Sequence, residues 1–426
     1  MGEKSFLKWN ERAELAMKKV REKSKGFEEI AFENTLRVLE AFRKHQVSDV
    51  HFTTTTGYGY GDMGREKLDA VWATVFGAES ALVRHQFVSG THALSTALFG
   101  CLRPGDSLLS VTGTPYDTLQ SVIGKSTSAF GSLKEWEISY NEIPFAVGGD
   151  LNWDLIKAEL KSDKKPKVAM IQRSRGYSSR KSLSVKEIGE LCDFIHFHSP
   201  STICFVDNCY GEFVEVIEPT MVGADLMAGS LIKNPGGGLA PTGGYICGRA
   251  DLVEAASHAL TAPGLGNEMG SSNLEQRLYF QGLFQAPQVV AQALQSMMFA
   301  AYLFEDYGFS VDPLPDAVRS DIIQSISLGN SSQVIAFCQG LQAYSPINSH
   351  VMPIPSGLPG YEDEVIMAAG TFIQGASIEI SADAPMREPF TIFLQGGVIL
   401  AHSVWALLSA LNRVQEVGNG ADFVVE

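Results

Sequence analysis

Between residues 65 and 247 the hydrophobic period switches repeatedly from helical spacing to short apolar runs and back. This alternation limits the fold more than any other feature. It predicts a helix near 65–76 and a strand at 81–83. A helix opening near Ser89 and ending near Cys101 leads through the turn Arg103-Pro104-Gly105-Asp106 to a strand at 107–111. A helix near 117–123 precedes strands near 137–139 and at 168–171. Val185, Ile188, Leu191 and Ile195 recur at helical spacing across 185–197. Strands at 202–206, 225–228 and 244–247 complete the series. Short apolar runs joined by helices imply an α/β fold, with a mainly parallel sheet covered by helices on both faces.

The flanking segments read differently. Residues 1–50 are charged, with helical spacing at Leu7, Ala13, Leu15 and Val20 and again at Ile30, Phe32, Leu36, Leu39 and Phe42, a helical arm. The large domain is expected to span 51–290. Residues 272–307 are expected to form a long helix broken or bent near Pro287. Residues 291–426 are expected to hold a smaller α+β domain, with strands at 334–337, 364–368 and 377–380 and a last helix over 397–411.

Composition removes several classes of function. The chain has 426 residues and a formal net charge of −15, without a strongly basic stretch. A nucleic-acid partner is therefore not expected, and an acidic surface is ill suited to anionic membranes. No stretch of about 18 uncharged apolar residues is present to span a bilayer. Lys4, Lys8, Glu11, Arg12 and Glu14 stand where a secretory signal needs an apolar core. The six cysteines form no CxxC pair and read as reduced thiols of a cytoplasmic protein. His196 and His198 lack a third ligand nearby, so no metal site is expected.

Three positions carry chemistry. Asp207 ends the apolar run Ile203-Cys204-Phe205-Val206, at the edge of a sheet where ligands bind in open α/β folds. Lys233 follows another apolar run and enters the turn Asn234-Pro235-Gly236-Gly237-Gly238. Ser89-Gly90-Thr91-His92 opens a helix, and free amides with hydroxyls beside a glycine suit a phosphate. Each has a plain structural alternative: a turn aspartate, a solvated lysine, an ordinary serine cap. The turn after Lys233 is no Walker A loop, and no Rossmann GxGxxG follows the first strand. Together the three fit a pyridoxal phosphate enzyme, with Lys233 bound to the cofactor and Asp207 keeping its pyridine nitrogen protonated.

On these residues the sequence resembles the fold-type I pyridoxal phosphate enzymes. Closer still, it is similar to the cystathionine lyase and methionine γ-lyase-like branch known as aluminium-resistance proteins. The carriers are FGAESALVRHQFVSGTHALSTALFG (76–100), GTPYDTL (113–119), QRSRGYSSR (172–180), FVDNCYGEF (205–213), GSLIKNPGGGLAPTGGY (229–245) and APMREPFTIFLQGG (384–397). The resemblance implies a seven-stranded sheet and pyridoxal 5′-phosphate held by Ser89, Gly90, Thr91 and Ser230. It implies that Tyr116 stacks on the pyridine ring, that Tyr210 bonds the cofactor O3′, and that Arg387 binds the substrate carboxylate. Tyr58, Tyr60 and Arg65 lie where such enzymes reach the phosphate of a neighbouring subunit, implying a homodimer or homotetramer with shared sites. Ile232 stands where the family often has a hydroxyl residue, so one phosphate contact must come from elsewhere, with the 264–272 loop a candidate. Arg173 and Arg175 are further candidates for phosphate or substrate. The implied activity is carbon–sulfur lysis of a sulfur-containing amino acid, as in a cystathionine β-lyase or methionine γ-lyase. Aminotransfer, aldol cleavage, γ-replacement synthesis and a non-catalytic cofactor-binding or stress role are the alternatives, since one platform hosts many reactions.

Overall fold

The computed structural model describes residues 10–125, 130–273, 276–358 and 363–418. The start of the expected arm, including Leu7, lies outside these. The chain divides into two compact units. One is Glu33–Ala286; the other joins the described residues of Met1–Phe32 to those of Pro287–Glu426. The helices α1 (Glu11–Lys23) and α2 (Lys25–Lys44) come first, and the division falls within α2.

In the Glu33–Ala286 unit, α3 (Met63–Val75) leads to β1 (Ser80–Arg84) and α4 (Gly90–Cys101). Then follow β2 (Ser107–Ser110), α5 (Asp117–Ile123), β3 (Ser139–Glu142), α6 (Trp153–Leu160), β4 (Val168–Gln172), α7 (Val185–His198) and β5 (Ile203–Asp207). The unit continues through β6 (Leu226–Ser230), β7 (Gly244–Gly248) and α8 (Ala250–Leu260), and ends inside α9 (Gln276–Asp306). The strands form a seven-stranded sheet in the order β1-β7-β6-β5-β4-β2-β3. The β6-β5-β4-β2-β3 stretch is parallel. Every residue of β4, β5 and β6 is buried, which is why these strands read as unbroken apolar runs.

β7 runs antiparallel to both neighbours. The connection from β6 to β7 carries Lys233 and contains only a short 3-10 turn, Asn234–Gly236. Without a crossover helix the chain can only turn back beside the strand it leaves. One face of the sheet is sealed by Leu94, Leu98 and Ala256, packed with Leu108, Met170, Phe205 and Ile246. Pattern and structure differ slightly at β3, expected at 137–139. Glu137 has φ of 60°, outside any strand conformation, and the ladder starts two residues later.

In the second unit, β8 (Ser310–Asp312), β9 (Ile323–Ser327), α10 (Ser331–Ala343), β10 (Val365–Ala368), β11 (Ser381–Pro385), β12 (Thr391–Gln395) and α11 (Leu400–Gly418) follow α9. The strands form an antiparallel sheet in the order β10-β11-β12-β9-β8. Its core joins Ala13, Ala16 and Val20 of α1 to Phe299, Leu303, Phe337, Leu341, Leu407 and Leu411.

Three expectations are corrected in this region. Residues 334–337 are helical, because Asn330 caps α10 through the Gln333 amide at 2.9 Å and Val334, Phe337, Cys338 and Leu341 share its buried face. Residues 377–380 form a turn before β11, where Glu379 accepts the Phe372 and Ile373 amides. α9 continues as a helix through Pro287, so the break that was one of the two expected outcomes there is absent. A proline removes only one intrahelical bond, and burial of Leu283, Ala286, Val290 and Leu294 around it opposes that loss.

Candidate active site

The site lies at the carboxyl ends of the parallel strands. β5 delivers Asp207, with only 3% of its surface exposed. The Cys209 amide donates to Asp207 Oδ1 at 3.1 Å, and the Cys209 thiol also hydrogen-bonds this carboxylate. The turn after β5 then places Tyr210 at φ 72°, a left-handed conformation rarely adopted by an aromatic residue. Such strain persists where surrounding structure enforces it, commonly at functional sites. Here it brings the Tyr210 ring beneath Lys233, whose Nζ lies 4.0 Å from the ring centroid.

Lys233 arrives from β6, and Ser230 ends that strand, buried. Ser230 faces the start of α4: a Cβ on Gly90 would sit 3.1 Å from the Ser230 Cβ and 3.6 Å from the Cys209 sulfur. Ser89 caps the helix by accepting the His92 amide at 3.1 Å. The Gly90 and Thr91 amides, in the first turn, have no carbonyl ahead of them within the helix. Tyr116, just before α5, donates its hydroxyl to Thr91 at 3.0 Å. Asp207 and Ser230 are buried, while Ser89, Gly90, Thr91, Tyr116, Tyr210 and Lys233 are partly exposed. The acid thus forms the floor of an open recess.

Charge follows from this packing. Burial pushes the Asp207 carboxyl above its usual range, opposed by the Lys233 charge. Burial alone would favour a neutral Lys233, but Cys209, Tyr210, Asp207 and Tyr116 outweigh it and hold the ammonium well above the usual lysine value. Burial, then the nearby Asp207 charge, keeps the Tyr116 phenol protonated.

The residues present fit pyridoxal phosphate. An amine, a buried carboxylate and an aromatic ring share the recess with a helix start whose glycine leaves room that a Cβ would fill. The first-turn amides with the Ser89, Thr91 and Ser230 hydroxyls are a donor set suited to a phosphate.

Other expected residues are placed elsewhere. Tyr58 and Tyr60 are 68% and 64% exposed, and their rings meet each other at 5.7 Å. Arg65 is buried and donates to the Gly59 and Gly270 carbonyls at 2.8 and 2.7 Å, pinning the 55–62 loop to the 266–272 loop. In that second loop the Ser272 hydroxyl is engaged by Asp62. Arg173 is fully buried, 2.8 Å from both Asn208 and Glu215 and 3.9 Å from Glu218, so it braces the turn after β5. Arg387 belongs to the second unit, where it pairs with Asp363 at 2.6 Å.

Sequence reasoning missed Gln172, Thr118 and Cys209. Gln172 ends β4 opposite Asp207 in register and accepts the Tyr116 amide at 3.0 Å. Thr118 meets the Thr91 hydroxyl at 3.0 Å. The strand-end argument that found Asp207 applies equally to Gln172. Thr118 and Cys209 stand two residues from Tyr116 and Asp207, a proximity that singles out no side chain by itself.

The strand order, the Lys233 connection and this recess define the fold-type I class of pyridoxal phosphate enzymes. Within that class, the methionine gamma-lyase family model matches residues 9–415, and the chain belongs to this family. A Clostridium novyi protein named carbon-sulfur lyase involved in aluminum resistance is 49% identical, with a TM-score of 0.91 and 95% of each chain covered. A Bacillus subtilis protein, YnbB, named as uncharacterized, is 52% identical over 92% of this chain and 93% of its own. A methionine gamma lyase from Micromonospora echinospora shares the fold at 19% identity and a TM-score of 0.57, over 86% of this chain and 93% of its own. Among the described residues, no helix is long and apolar enough to cross a membrane.

Proposed function

We propose that the chain is a pyridoxal phosphate-dependent carbon–sulfur lyase, converting a sulfur-containing amino acid to a keto acid, ammonia and a thiol. The observation that carries this reading is the convergence of Lys233, Asp207, Tyr210 and Tyr116 beside the start of α4. The name of the Clostridium novyi relative supports the same bond being cleaved.

Pyridoxal phosphate, when bound, supplies an electron sink for the carbanion left as the substrate Cα loses its proton. Lys233 holds the cofactor and, as a neutral amine, takes that proton as general base. The ammonium so formed is stabilised by the Tyr210 face, 4.0 Å away, and by the Asp207 charge. Asp207 holds a proton on the ring nitrogen, and the Cys209 amide fixes its carboxylate. Ser89, Gly90, Thr91 and Ser230 bind the phosphate. Tyr116 covers the ring, oriented by Gln172 and Thr91. Arg387 binds the substrate carboxylate, exchanging Asp363 for it. A second copy of the chain completes the site, using the exposed Tyr58 and Tyr60.

The test is an absorption spectrum of the protein and of Lys233→Ala with pyridoxal phosphate, before and after L-cystathionine, L-cysteine or L-methionine. A visible lysine-bound chromophore in the wild type alone, perturbed by one amino acid with release of keto acid and ammonia, is expected. No chromophore overturns the cofactor assignment. Keto acid formed only with an amino acceptor shifts the assignment to aminotransfer.

A further inference from the structure

Read along the chain, His196 and His198 point to no metal site, but folding brings further ligands to His196. It stands in the last turn of α7, against Cys204 of β5 and Asp225 just before β6. An imidazole nitrogen, the thiol sulfur and a carboxylate oxygen of these three lie within 4.8 Å of one another. His196 Nε2 is 2.9 Å from Asp225 Oδ2. Cys192 stands four residues before His196, on the same face of α7, and its thiol is hydrogen-bonded to that of Cys204. His198 is turned instead to the Phe194 ring, edge-on at 4.6 Å.

The donor types decide what such a group can hold. Two sulfurs, an imidazole and a carboxylate suit zinc and ions like it, whereas magnesium and calcium need shells of oxygen. Four ligands drawn from a helix and two strand starts can close a tetrahedron. Supporting contacts are also in place. Asp225 Oδ2 accepts the Cys204 amide at 2.8 Å, and Oδ1 faces Arg249 Nη1 at 3.3 Å. Such outer partners orient a ligating carboxylate. The Cys192 hydrogen bond, then burial, keeps the Cys204 thiol protonated in the metal-free chain. Coordination reverses this, releasing the thiol protons to solvent. Two thiolates and Asp225 then carry three negative charges; a divalent ion cancels two and Arg249 the third. Cys192 and Cys204 are fully buried, while the His196 and Asp225 side chains are 33% and 12% exposed, so an ion can enter from the His196 side.

We propose that Cys192, His196, Cys204 and Asp225 bind one divalent cation of the zinc class. The ion pins α7 to the starts of β5 and β6. These are the strands that end at Asp207 and lead on to Lys233. None of the four ligands belongs to the cofactor recess, so the proposal stands apart from the lyase reading.

The cofactor-loaded protein, incubated with zinc chloride under reductant and dialysed against metal-free buffer, tests this. Elemental analysis should find about one zinc per chain, and absorption at the zinc edge should show sulfur ligands at about 2.3 Å. A chelator should then lower the melting midpoint. Cys204→Ala should lose the zinc on dialysis and melt at a midpoint indifferent to the chelator. Should that buried variant fail to fold, His196→Ala, at a partly exposed position, should show the same loss. Zinc absent from the wild type, retained equally by His196→Ala, or bound through nitrogen and oxygen alone overturns the proposal. A disulfide joining Cys192 to Cys204 in the reduced preparation overturns it as well.

Discussion

Glu212 is fully buried, and its carboxyl is pushed up to about 8, first by burial. Tyr245 donates to its Oε1 at 2.7 Å, and among the described residues Oε2 has no hydrogen-bond partner. The side chain is wedged against β6: a Cβ on Gly229 would lie 2.7 Å from that same oxygen. In the unfolded chain the group titrates near its ordinary 4.5. Below that value it is protonated in both states and costs nothing. Between 4.5 and 8 the unfolded chain releases the proton and the folded chain keeps it, so stability falls as pH rises. Above 8 both forms are ionised and the loss levels off. At about 1.4 kcal/mol per pH unit, the accumulated cost at pH 7 is about 3 kcal/mol. Glu212→Gln mimics the protonated form, keeps the acceptor for Tyr245 and never ionises. The variant should match the wild type near pH 4.5 and exceed it by about 3 kcal/mol at pH 7, with no further gain above 8. Urea unfolding midpoints of the two proteins across this range report the difference. Infrared absorption of a protonated buried carboxyl, present in the wild type and missing from the variant, reports the titration directly. A difference in stability that does not change between pH 5 and 8, or an ionised carboxylate at pH 6, refutes the reasoning.

Gly211→Ala would place a Cβ 2.5 Å from Arg173 Cδ and Nε. Held by Asn208 and Glu215, that guanidinium cannot yield, so a loss of about 1–3 kcal/mol is expected in thermal unfolding. Gly90→Ala crowds Ser230 at 3.1 Å inside the proposed phosphate cradle while leaving a sound helix start. Pyridoxal phosphate affinity should fall about tenfold, equivalent to about 1.4 kcal/mol, with the melting midpoint of the cofactor-free protein unchanged. Asp207→Asn removes one of the groups that raise the Lys233 amine, so its pKa drops. The pH profile of cofactor uptake should move to lower pH, read by absorbance; an unmoved profile counts against the coupling.

The parallel core was legible because burial on both faces removes any ambiguity of period. Cys204, Phe205 and Val206 need no polar alternation, and the chain can only present Asp207 at their end. Lys233 was legible for the same reason, as the first charged residue after β6. What the sequence hid lies where local preference and tertiary context disagree. The apolar run Val334-Ile335-Ala336-Phe337 suits a strand as well as a helix, and only the Asn330 cap decides. The antiparallel turn of β7 depends on the absence of a helix between residues 231 and 243, which short apolar spacing does not encode.

The arginines show the sharper limit. Arg65, Arg173 and Arg387 look alike in sequence, each beside turn residues near a motif. Arg65 is spent on carbonyls of two loops and Arg173 on Asn208 and two glutamates, so both are part of the scaffold. Among the described residues the Arg387 side chain pairs with Asp363 alone, and both side chains are substantially exposed, 49% and 38%. An exposed pair of this kind contributes little to stability and is easily given up. A guanidinium that binds a substrate carboxylate must be free to leave its resting partner, and of these three only Arg387 pairs weakly enough to do so. Arg387→Ala should therefore raise KM for an amino-acid substrate far more than it lowers the melting midpoint. Equal damage to stability and KM would place Arg387 with the other two.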